Sequence, residues 1–274
     1  MRAFIVLLLI AALTAAGCSR RGAEPPERTE AEQYEQVREQ IERSNFLNAL
    51  EQLQELEARY PYGEYAEQAQ LDRVYVQYRA LDYPSAVASA TRFLRNYPAS
   101  RHRDYALYMR GLANYNMERG MLERLIPTER SARDLSSWRD AFGDFRELVE
   151  EHPDSEYAPD ARSRMVHIRN ELAEHELHAA RYYARRGAYI AAANRAQHVV
   201  KHFQATPAVP EALAIMSRSY QALGREELAQ RSRRVLAHNW PDSEFLAPRE
   251  RVALEWWPEE ERTWLRLLTF DLLG

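Results

Sequence analysis

The stretch FLNALEQLQELEARYP, residues 46–61, contains a spacing that returns four more times along this chain of 274 residues. Its alanine, Ala49, lies 12 positions before its proline, Pro61. The same spacing joins Ala86 to Pro98, Ala141 to Pro153, Ala192 to Gln204 and Ala229 to Pro241. A fixed internal offset of this kind is the signature of a repeat architecture.

Apolar residues keep fixed places around each of these alanines. Three positions before the alanine stand Phe46, Tyr83, Trp138 and Tyr189, with Glu226 breaking the pattern, and seven positions after it stand Leu56, Phe93, Leu148, Val199 and Leu236. These spacings place the side chains on one stripe of a helix. A small residue in the stripe lets another helix approach closely, and a proline ends the helix because it lacks the backbone donor. Each stretch is therefore predicted to be the second helix of a hairpin.

The segments between these stretches carry a matching pattern. Eight residues after each of the first four terminating positions an alanine recurs, at Ala69, Ala106, Ala161 and Ala212. With Gly111 and Tyr220, this pattern is similar to that of tetratricopeptide helix-turn-helix units, which implies an all-α fold, an α-solenoid of about five hairpins. The repeats lie 37, 55, 51 and 37 residues apart, against 34 in the standard unit. We therefore expect two insertions, a loop in residues 117–137 and, over residues 158–186, either one long helix or two abutting helices.

The N-terminus is typical of a bacterial lipoprotein signal. Arg2 precedes an apolar segment, residues 3–16, that is too short to span a membrane as a helix, and small residues lead to Cys18. Because Cys18 is the only cysteine, its thiol is free for lipidation. We expect cleavage before Cys18 and covalent N-acyl and diacylglycerol lipid on it. Ser19 is not the aspartate that retains many such lipoproteins in the inner membrane, so the resemblance implies an anchor in the outer membrane, facing the periplasm.

Composition and motifs give little support for catalysis. The net charge of −4 argues against a nucleic-acid partner. The chain contains no glycine-rich phosphate loop, no nucleophile elbow and no zinc-protease motif. The best metal candidates are the pairs His175 with His178 and His198 with His202, which lack a matching carboxylate on a second element. We predict no catalytic residue, no metal and no cofactor besides the lipid; a metal-dependent hydrolase that uses these histidines is the alternative.

Tyrosine is enriched, at 16 residues, and many tyrosines fall on first helices. In a tetratricopeptide array, the positions that line the concave groove correspond here to Tyr34, Arg38, Tyr75, Tyr78, Tyr108, Leu112 and Tyr115. Aromatic rings interleaved with arginine would suit a peptide with an aromatic, carboxylate-bearing end. The alternative is that these tyrosines pack between repeats.

Arg195 follows the repeat alanine Ala192 by three residues, which we interpret as a face of the helix away from the packing stripe. There it could contact a carboxylate of a partner or form a surface ion pair of small energy. The segment from residue 245 to residue 273 breaks the repeat with Trp256, Trp257 and Trp264. It is interpreted as a cap for the last repeat or as a docking segment for another subunit.

Two blocks of sequence resemble the BamD family of lipoproteins of the β-barrel assembly machine. One contains Arg133-Asp134, AFGDFRELV at residues 141–149 and PDSEYA at residues 153–158; the other runs from Arg164-Met165 to Asn194-Arg195. The resemblance covers roughly residues 18–241. Glu129, where the family usually has aspartate, Gln204 in place of a proline, and the tail from residue 245 depart from it.

The resemblance implies a non-catalytic scaffold that binds BamA through its C-terminal repeats, with Asn194 and Arg195 in the contact. It also implies other Bam lipoproteins as partners and unfolded β-barrel outer-membrane proteins as clients in the N-terminal groove, with the lipid as the only membrane contact. A periplasmic tetratricopeptide lipoprotein adaptor for cell-wall synthesis or division is the alternative; it would lack the Arg133-Asp134 block.

Five segments are predicted. They are a signal peptide at residues 1–17, a lipidated tether at 18–29, repeats 1–2 with the client groove at 30–103, repeats 3–5 with the insertions and the partner-binding half at 104–241, and a tryptophan-rich extension or cap at 242–274.

Overall fold

The structure is a computed structural model, and it describes residues 28–117 and 135–247. Within these two ranges the chain forms ten α-helices and no strand. They are α1 Glu30–Glu42, α2 Phe46–Arg59, α3 Ala66–Arg79, α4 Tyr83–Asn96, α5 Arg103–Met117, α6 Ser136–Glu151, α7 Ala158–Arg185, α8 Tyr189–His202, α9 Val209–Ala222 and α10 Glu226–Asn239. A 3-10 turn, Glu244–Leu246, follows α10. Odd-numbered helices are the predicted first helices and even-numbered helices the predicted second helices.

The repeat alanines are buried at every position. They are Ala49, Ala86, Ala141, Ala192 and Ala229 on the even-numbered helices, and Ala69, Ala106, Ala161 and Ala212 on the odd-numbered helices. The apolar residues seven positions after the first set are buried as well: Leu56, Phe93, Leu148, Val199 and Leu236. The all-α helical-repeat fold is confirmed, and the predicted stripe is buried at these positions. Three residues before the alanine, Trp138 is buried, whereas Phe46, Tyr83 and Tyr189 are partly buried.

The even-numbered helices end where the prolines predicted. Their terminal residues leave helical geometry, with φ −125° and ψ 61° at Tyr60 and φ −124° and ψ 63° at Tyr97. Phe203, which precedes Gln204 instead of proline, adopts φ −127° and ψ 40°. Its carbonyl accepts hydrogen bonds from the backbone N–H and the hydroxyl of Thr206, at 3.0 and 2.7 Å. The same backbone bond closes the turns that contain a proline, so α8 ends in the shared turn geometry without one.

The chain divides between Leu81 and Asp82 into two compact units, unit 1 and unit 2. In unit 1, the buried side chains of Val37, Leu53 and Leu56 form the centre of a core built by α1, α2 and α3. In unit 2, each helix from α5 to α10 packs against the one before it. The predicted boundary between residues 103 and 104 stays a prediction.

The second predicted insertion is a single long helix. Helix α7 runs for 28 residues without a break. Ala161 and Ile168 are buried in its first half, and Ala173 and Leu177 are buried in the second half, where they join the core around Ile215 of α9. The first predicted insertion lies mostly outside the described residues.

Across residues 28–117 and 135–247, no helix combines the length and the apolar character that crossing a membrane requires.

Candidate functional site

The predicted groove residue Tyr34 takes part in a contact between α1 and α3. Its hydroxyl donates to Oδ2 of Asp72 at 2.9 Å, and its ring stacks on Tyr65 with 4.5 Å between centroids. Burial and the charge of Asp72 raise the pKa of Tyr34 above its ordinary value. The Tyr34 side chain thus links successive first helices of unit 1.

Tyr108 repeats this arrangement in unit 2. Its hydroxyl donates to Oδ2 of Asp160 at 2.8 Å, and its ring stacks on Tyr157 at 4.8 Å. Nε of Arg164 lies 2.5 Å from the same carboxylate oxygen. Burial and the hydrogen bond to Asp160 raise the pKa of Tyr108 to about 12. Tyr65 and Tyr157 each directly precede a first helix, so both stacks have the same geometry in the repeat.

A more open set of predicted residues lies in unit 1. Arg38 is exposed and forms ion pairs with Glu35 at 3.5 Å and Glu42 at 3.6 Å. Tyr75 and Tyr78 on α3 are partly buried. Helix α3 therefore carries two of the predicted rings one turn apart.

Arg79 joins this set, although the sequence pattern did not single it out. Its guanidinium lies over the rings of Phe46 at 5.2 Å and Tyr75 at 5.5 Å and donates to the Tyr75 hydroxyl. A cation held over aromatic faces gains electrostatic energy. The i, i+4 spacing of Tyr75 and Arg79 on a helix is the signal that could have found it.

The groove prediction is wrong for Leu112 and Tyr115. Both are buried, with 8% and 6% of their surfaces exposed. The ring of Tyr115 stacks on Trp138 of α6 at 5.6 Å and lies under the guanidinium of Arg164 of α7 at 5.1 Å. The last turns of α5 thus contact two helices at once, which single-helix periodicity does not reveal.

Asn194 and Arg195 are exposed on α8. Nη1 of Arg195 lies 3.0 Å from Oε2 of Glu176 on α7, so the ion-pair alternative is present in the structure. Arg195 is exposed although the equivalent side chains on other second helices, Ser89 and Asp144, are buried. Three residues turn a helix by about 300°, which leaves the side chain within about 60° of the repeat alanine. The contact with a partner stays a prediction.

Two exposed apolar side chains lie on α7 and α8, and the sequence pattern did not single them out. Ile190 of α8 is 65% exposed and lies one helical turn before Asn194. Tyr182 of α7 is also exposed and lies under the guanidinium of Arg186 at 5.4 Å. No periodicity marks them, because Ile190 lies off the repeating stripe.

A groove of about 570 Å³ in unit 2 lies apart from the predicted site residues. Helices α4, α5 and α6 line it, and its lining includes Arg110, Asn114, Gly143, Asp144 and Glu147. Arg110 and Asn114 both bind the Asp144 carboxylate, at 2.7 and 2.8 Å. Burial raises the pKa of Asp144, while Arg110 and Asn114 act in the opposite direction. These polar groups satisfy one another and join α5 to α6.

The histidine pairs do not form a metal site in the part of the chain that the structure describes. The rings of His198 and His202 lie 4.4 Å apart between centroids. No group of three or more histidine, cysteine, aspartate or glutamate side chains within residues 28–117 and 135–247 could hold a metal ion. The predicted lipid attachment residue Cys18, the Arg133-Asp134 block and the tail from residue 248 lie outside the described residues.

The chain is similar to a family of outer membrane lipoproteins over most of its length. The model of the YfiO family, described as an outer membrane lipoprotein, matches residues 26–245. The outer membrane protein assembly factor BamD of Neisseria meningitidis serogroup A is 40% identical over 231 residues, 84% of this chain and 84% of the relative. The protein of the same name from Vibrio cholerae is 36% identical over 81% of this chain and 92% of its own length. A solved tetratricopeptide repeat protein from Parabacteroides merdae shares 13% identity, with a TM-score of 0.37 over 76% of this chain and 79% of its own.

Proposed function

This chain belongs to the YfiO family of outer membrane lipoproteins, and from that membership we propose that it is a non-catalytic scaffold of the outer-membrane β-barrel assembly complex. The similarity to outer membrane protein assembly factors over most of both chains carries the proposal. A repeat of packed helices supports it, because such arrays bind other proteins through extended surfaces.

The contact with BamA is assigned to Asn194 and Arg195. The exposed guanidinium of Arg195 offers charge-assisted hydrogen bonds to a carboxylate, and exposed Ile190 adds apolar area one turn before Asn194. We expect Arg195→Glu to weaken binding of purified full-length protein to the periplasmic domains of BamA by at least tenfold, with the helical content unchanged.

Arg95→Glu on α4 is the control for that experiment, because Arg95 is also an exposed arginine of a second helix. It should leave BamA affinity within about twofold of the parent protein. Equal loss in both variants, or none in Arg195→Glu, would remove the assignment.

Client binding is assigned to unit 1, with Arg38, Tyr75 and Tyr78 as the contact residues and Tyr34 as support. An aromatic C-terminal residue of an unfolded β-barrel protein would bring a ring and a carboxylate, which suit tyrosine rings and arginine. Tyr108 of unit 2, whose hydroxyl donates to Asp160, is assigned separately as a client contact.

The test uses a labelled peptide that ends in phenylalanine and a matched peptide amide. Arg38→Glu should lower the affinity for the free-acid peptide and have little effect on the affinity for the amide. Equal affinities for both peptides in the parent protein would count against carboxylate recognition.

The membrane anchor is assigned to lipid on Cys18, with the folded repeats on the periplasmic face. Cys18→Ser should move the protein from the outer-membrane fraction to the soluble periplasmic fraction and remove the mass of the acyl groups. A variant that stayed in the membrane fraction would contradict the anchor.

The cell-wall adaptor is separated from barrel assembly by affinity purification from membranes. Recovery of BamA with the other Bam lipoproteins supports the proposal; recovery of a cell-wall synthase without BamA would support the adaptor. The hydrolase alternative predicts that changing His175, His178, His198 and His202 together to alanine abolishes function. We expect the quadruple variant to complement a depletion strain.

A further inference from the structure

The side chain of Arg195 points in a direction that its place in the repeat does not predict. The equivalent positions, three residues after each repeat alanine, are Gln52, Ser89, Asp144, Arg195 and Ser232. All five are described, and Ser89, Asp144 and Ser232 are buried while Gln52 is partly buried. Arg195 alone among the five is exposed, so something must direct its long side chain outward.

Glu176 forms an ion pair with Arg195. Oε2 of Glu176, on the paired helix α7, lies 3.0 Å from Nη1 of Arg195. The Glu176 side chain is only 12% exposed, whereas that of Arg195 is 50% exposed. A carboxylate this buried needs a partner, because a buried charge without one is strongly unfavourable. In this ion pair the glutamate is therefore largely buried, whereas the arginine is exposed to solvent.

The preceding helix pair, α5 and α6, has an ion pair at the same place in the repeat, and both of its side chains are largely buried. There the equivalent position is Asp144, which pairs with Arg110 at 2.7 Å, and the two side chains are 9% and 18% exposed. Asn114 binds the second oxygen of Asp144. Both members of that pair are less exposed than Arg195. In the Arg195 pair the residue types are reversed, and most of the five N–H donors of the guanidinium remain available.

We propose that Glu176 is a positioning residue that holds Arg195 in an outward orientation and so presents its guanidinium to an acidic group of the protein partner. The inference rests on the proposed contact between Arg195 and BamA. Fixing the arginine before binding reduces the side-chain entropy that binding would otherwise cost.

A double-mutant cycle tests the proposal with full-length protein and the periplasmic domains of BamA. Glu176→Gln keeps the shape and removes the charge, and we expect it to weaken binding by about 3- to 10-fold. In an Arg195→Ala background the same change should alter affinity by less than about twofold, because the residue that Glu176 positions is gone. Glu176→Asp, which is one methylene shorter, should fall between the parent and Glu176→Gln.

The control is Glu174→Gln, because Glu174 lies on the same helix and pairs with a different arginine, Arg181, at 2.6 Å. It should leave BamA affinity unchanged. Circular dichroism and thermal midpoints establish that each variant is folded.

The two ideas fail in different ways. Unchanged or tighter binding by Glu176→Gln, while Arg195→Ala still weakens binding, would overturn the positioning role and leave the contact standing. Full affinity in Arg195→Ala would overturn the contact and the positioning role together. An equal effect of Glu176→Gln in both backgrounds would show that Glu176 acts on affinity without Arg195, which also overturns the inference.

Discussion

The carboxylate of Glu30 occupies the space that a Cβ atom at Gly63 would need. Its two oxygens accept hydrogen bonds from the backbone N–H groups of Glu64 at 3.2 Å and Tyr65 at 2.8 Å. In later repeats a serine at the position of Gly63 supplies the acceptor itself: Oγ of Ser155 accepts from the N–H of Tyr157 at 3.2 Å. The first repeat thus uses a distant glutamate where the Ser155 turn uses a local hydroxyl.

Gly63→Ala is expected to lower the free energy of unfolding by about 1–2 kcal/mol, because Glu30 must leave both N–H groups. In a Glu30→Ala background the same substitution should cost almost nothing. Urea denaturation of the four proteins measures the coupling. A full loss in both backgrounds would show that the glutamate is irrelevant to the need for glycine.

Alanine substitutions at two glycines inside helices should change the stability of the protein in opposite directions. A Cβ at Gly111 would lie 2.6 Å from the ring of buried Phe145, whereas one at Gly143 would have nothing within 4 Å. Gly111→Ala should destabilise by about 1–3 kcal/mol through overpacking. Gly143→Ala should stabilise by up to about 1 kcal/mol through helix propensity. Thermal midpoints that shift in the same direction would contradict the packing argument.

The turns after α1 and α9 have the same backbone geometry with different residues. Ser44 has φ 56° and Gly224 has φ 68°, and each turn closes with bonds back to the last helical turn, Asn45 to Gln40 at 2.8 Å and Arg225 to Tyr220 at 2.8 Å. A left-handed residue at this place favours glycine. Ser44→Gly should therefore stabilise by about 0.5–1 kcal/mol and Gly224→Ser should destabilise by a similar amount. Chemical denaturation of both variants would reveal any departure from this symmetry.

Alkaline pH should destabilise the protein partly through Tyr108. Its pKa in the folded state is about 12, whereas that of an unfolded tyrosine is about 10. Between these values the unfolded chain has lost the proton that the folded chain keeps. The stability that Tyr108 contributes is therefore fully present below pH ~10 and is lost as pH rises toward ~12. Tyr108→Phe should lower stability at neutral pH by about 0.5–1.5 kcal/mol, because Asp160 loses the hydroxyl donor and keeps that of Arg164. It should also flatten the alkaline decline.

Tyr62→Phe is the control, because the Tyr62 side chain is 98% exposed. Denaturation curves at pH 9 and pH 11 compare the three proteins. A decline of equal steepness in the parent and in Tyr108→Phe would exclude a contribution from Tyr108.

The fold was predictable because each repeat must bury the same face. Ala49 and its four equivalents lie 12 residues before a terminating position, and burial makes that spacing visible in the sequence. The proline is not required at every repeat. At Gln204, α8 ends without one, and the N–H of Thr206 still bonds to the Phe203 carbonyl. The length of α7 as one helix followed only from the structure.

The candidate site was less predictable, because groove residues are defined by neighbours on other helices. Tyr115 satisfies the spacing of a groove residue, yet Trp138 and Arg164 cover its ring. Ile190 shows the opposite error, since a lone apolar residue off the stripe leaves no periodic signal although the structure exposes it.

By itself the sequence determined the helices, the buried alanines and the ends of the repeats, because those depend on the period of one helix and on the backbone chemistry of proline. Only the tertiary structure decided which polar side chains are enclosed and which are presented. Asp144 and Arg195 occupy equivalent positions, and the first is closed by Arg110 whereas the second is held outward by Glu176. The difference depends on which charged side chain the first helix of the hairpin places opposite. That partner is 34 residues away in sequence from Asp144 and 19 residues away from Arg195.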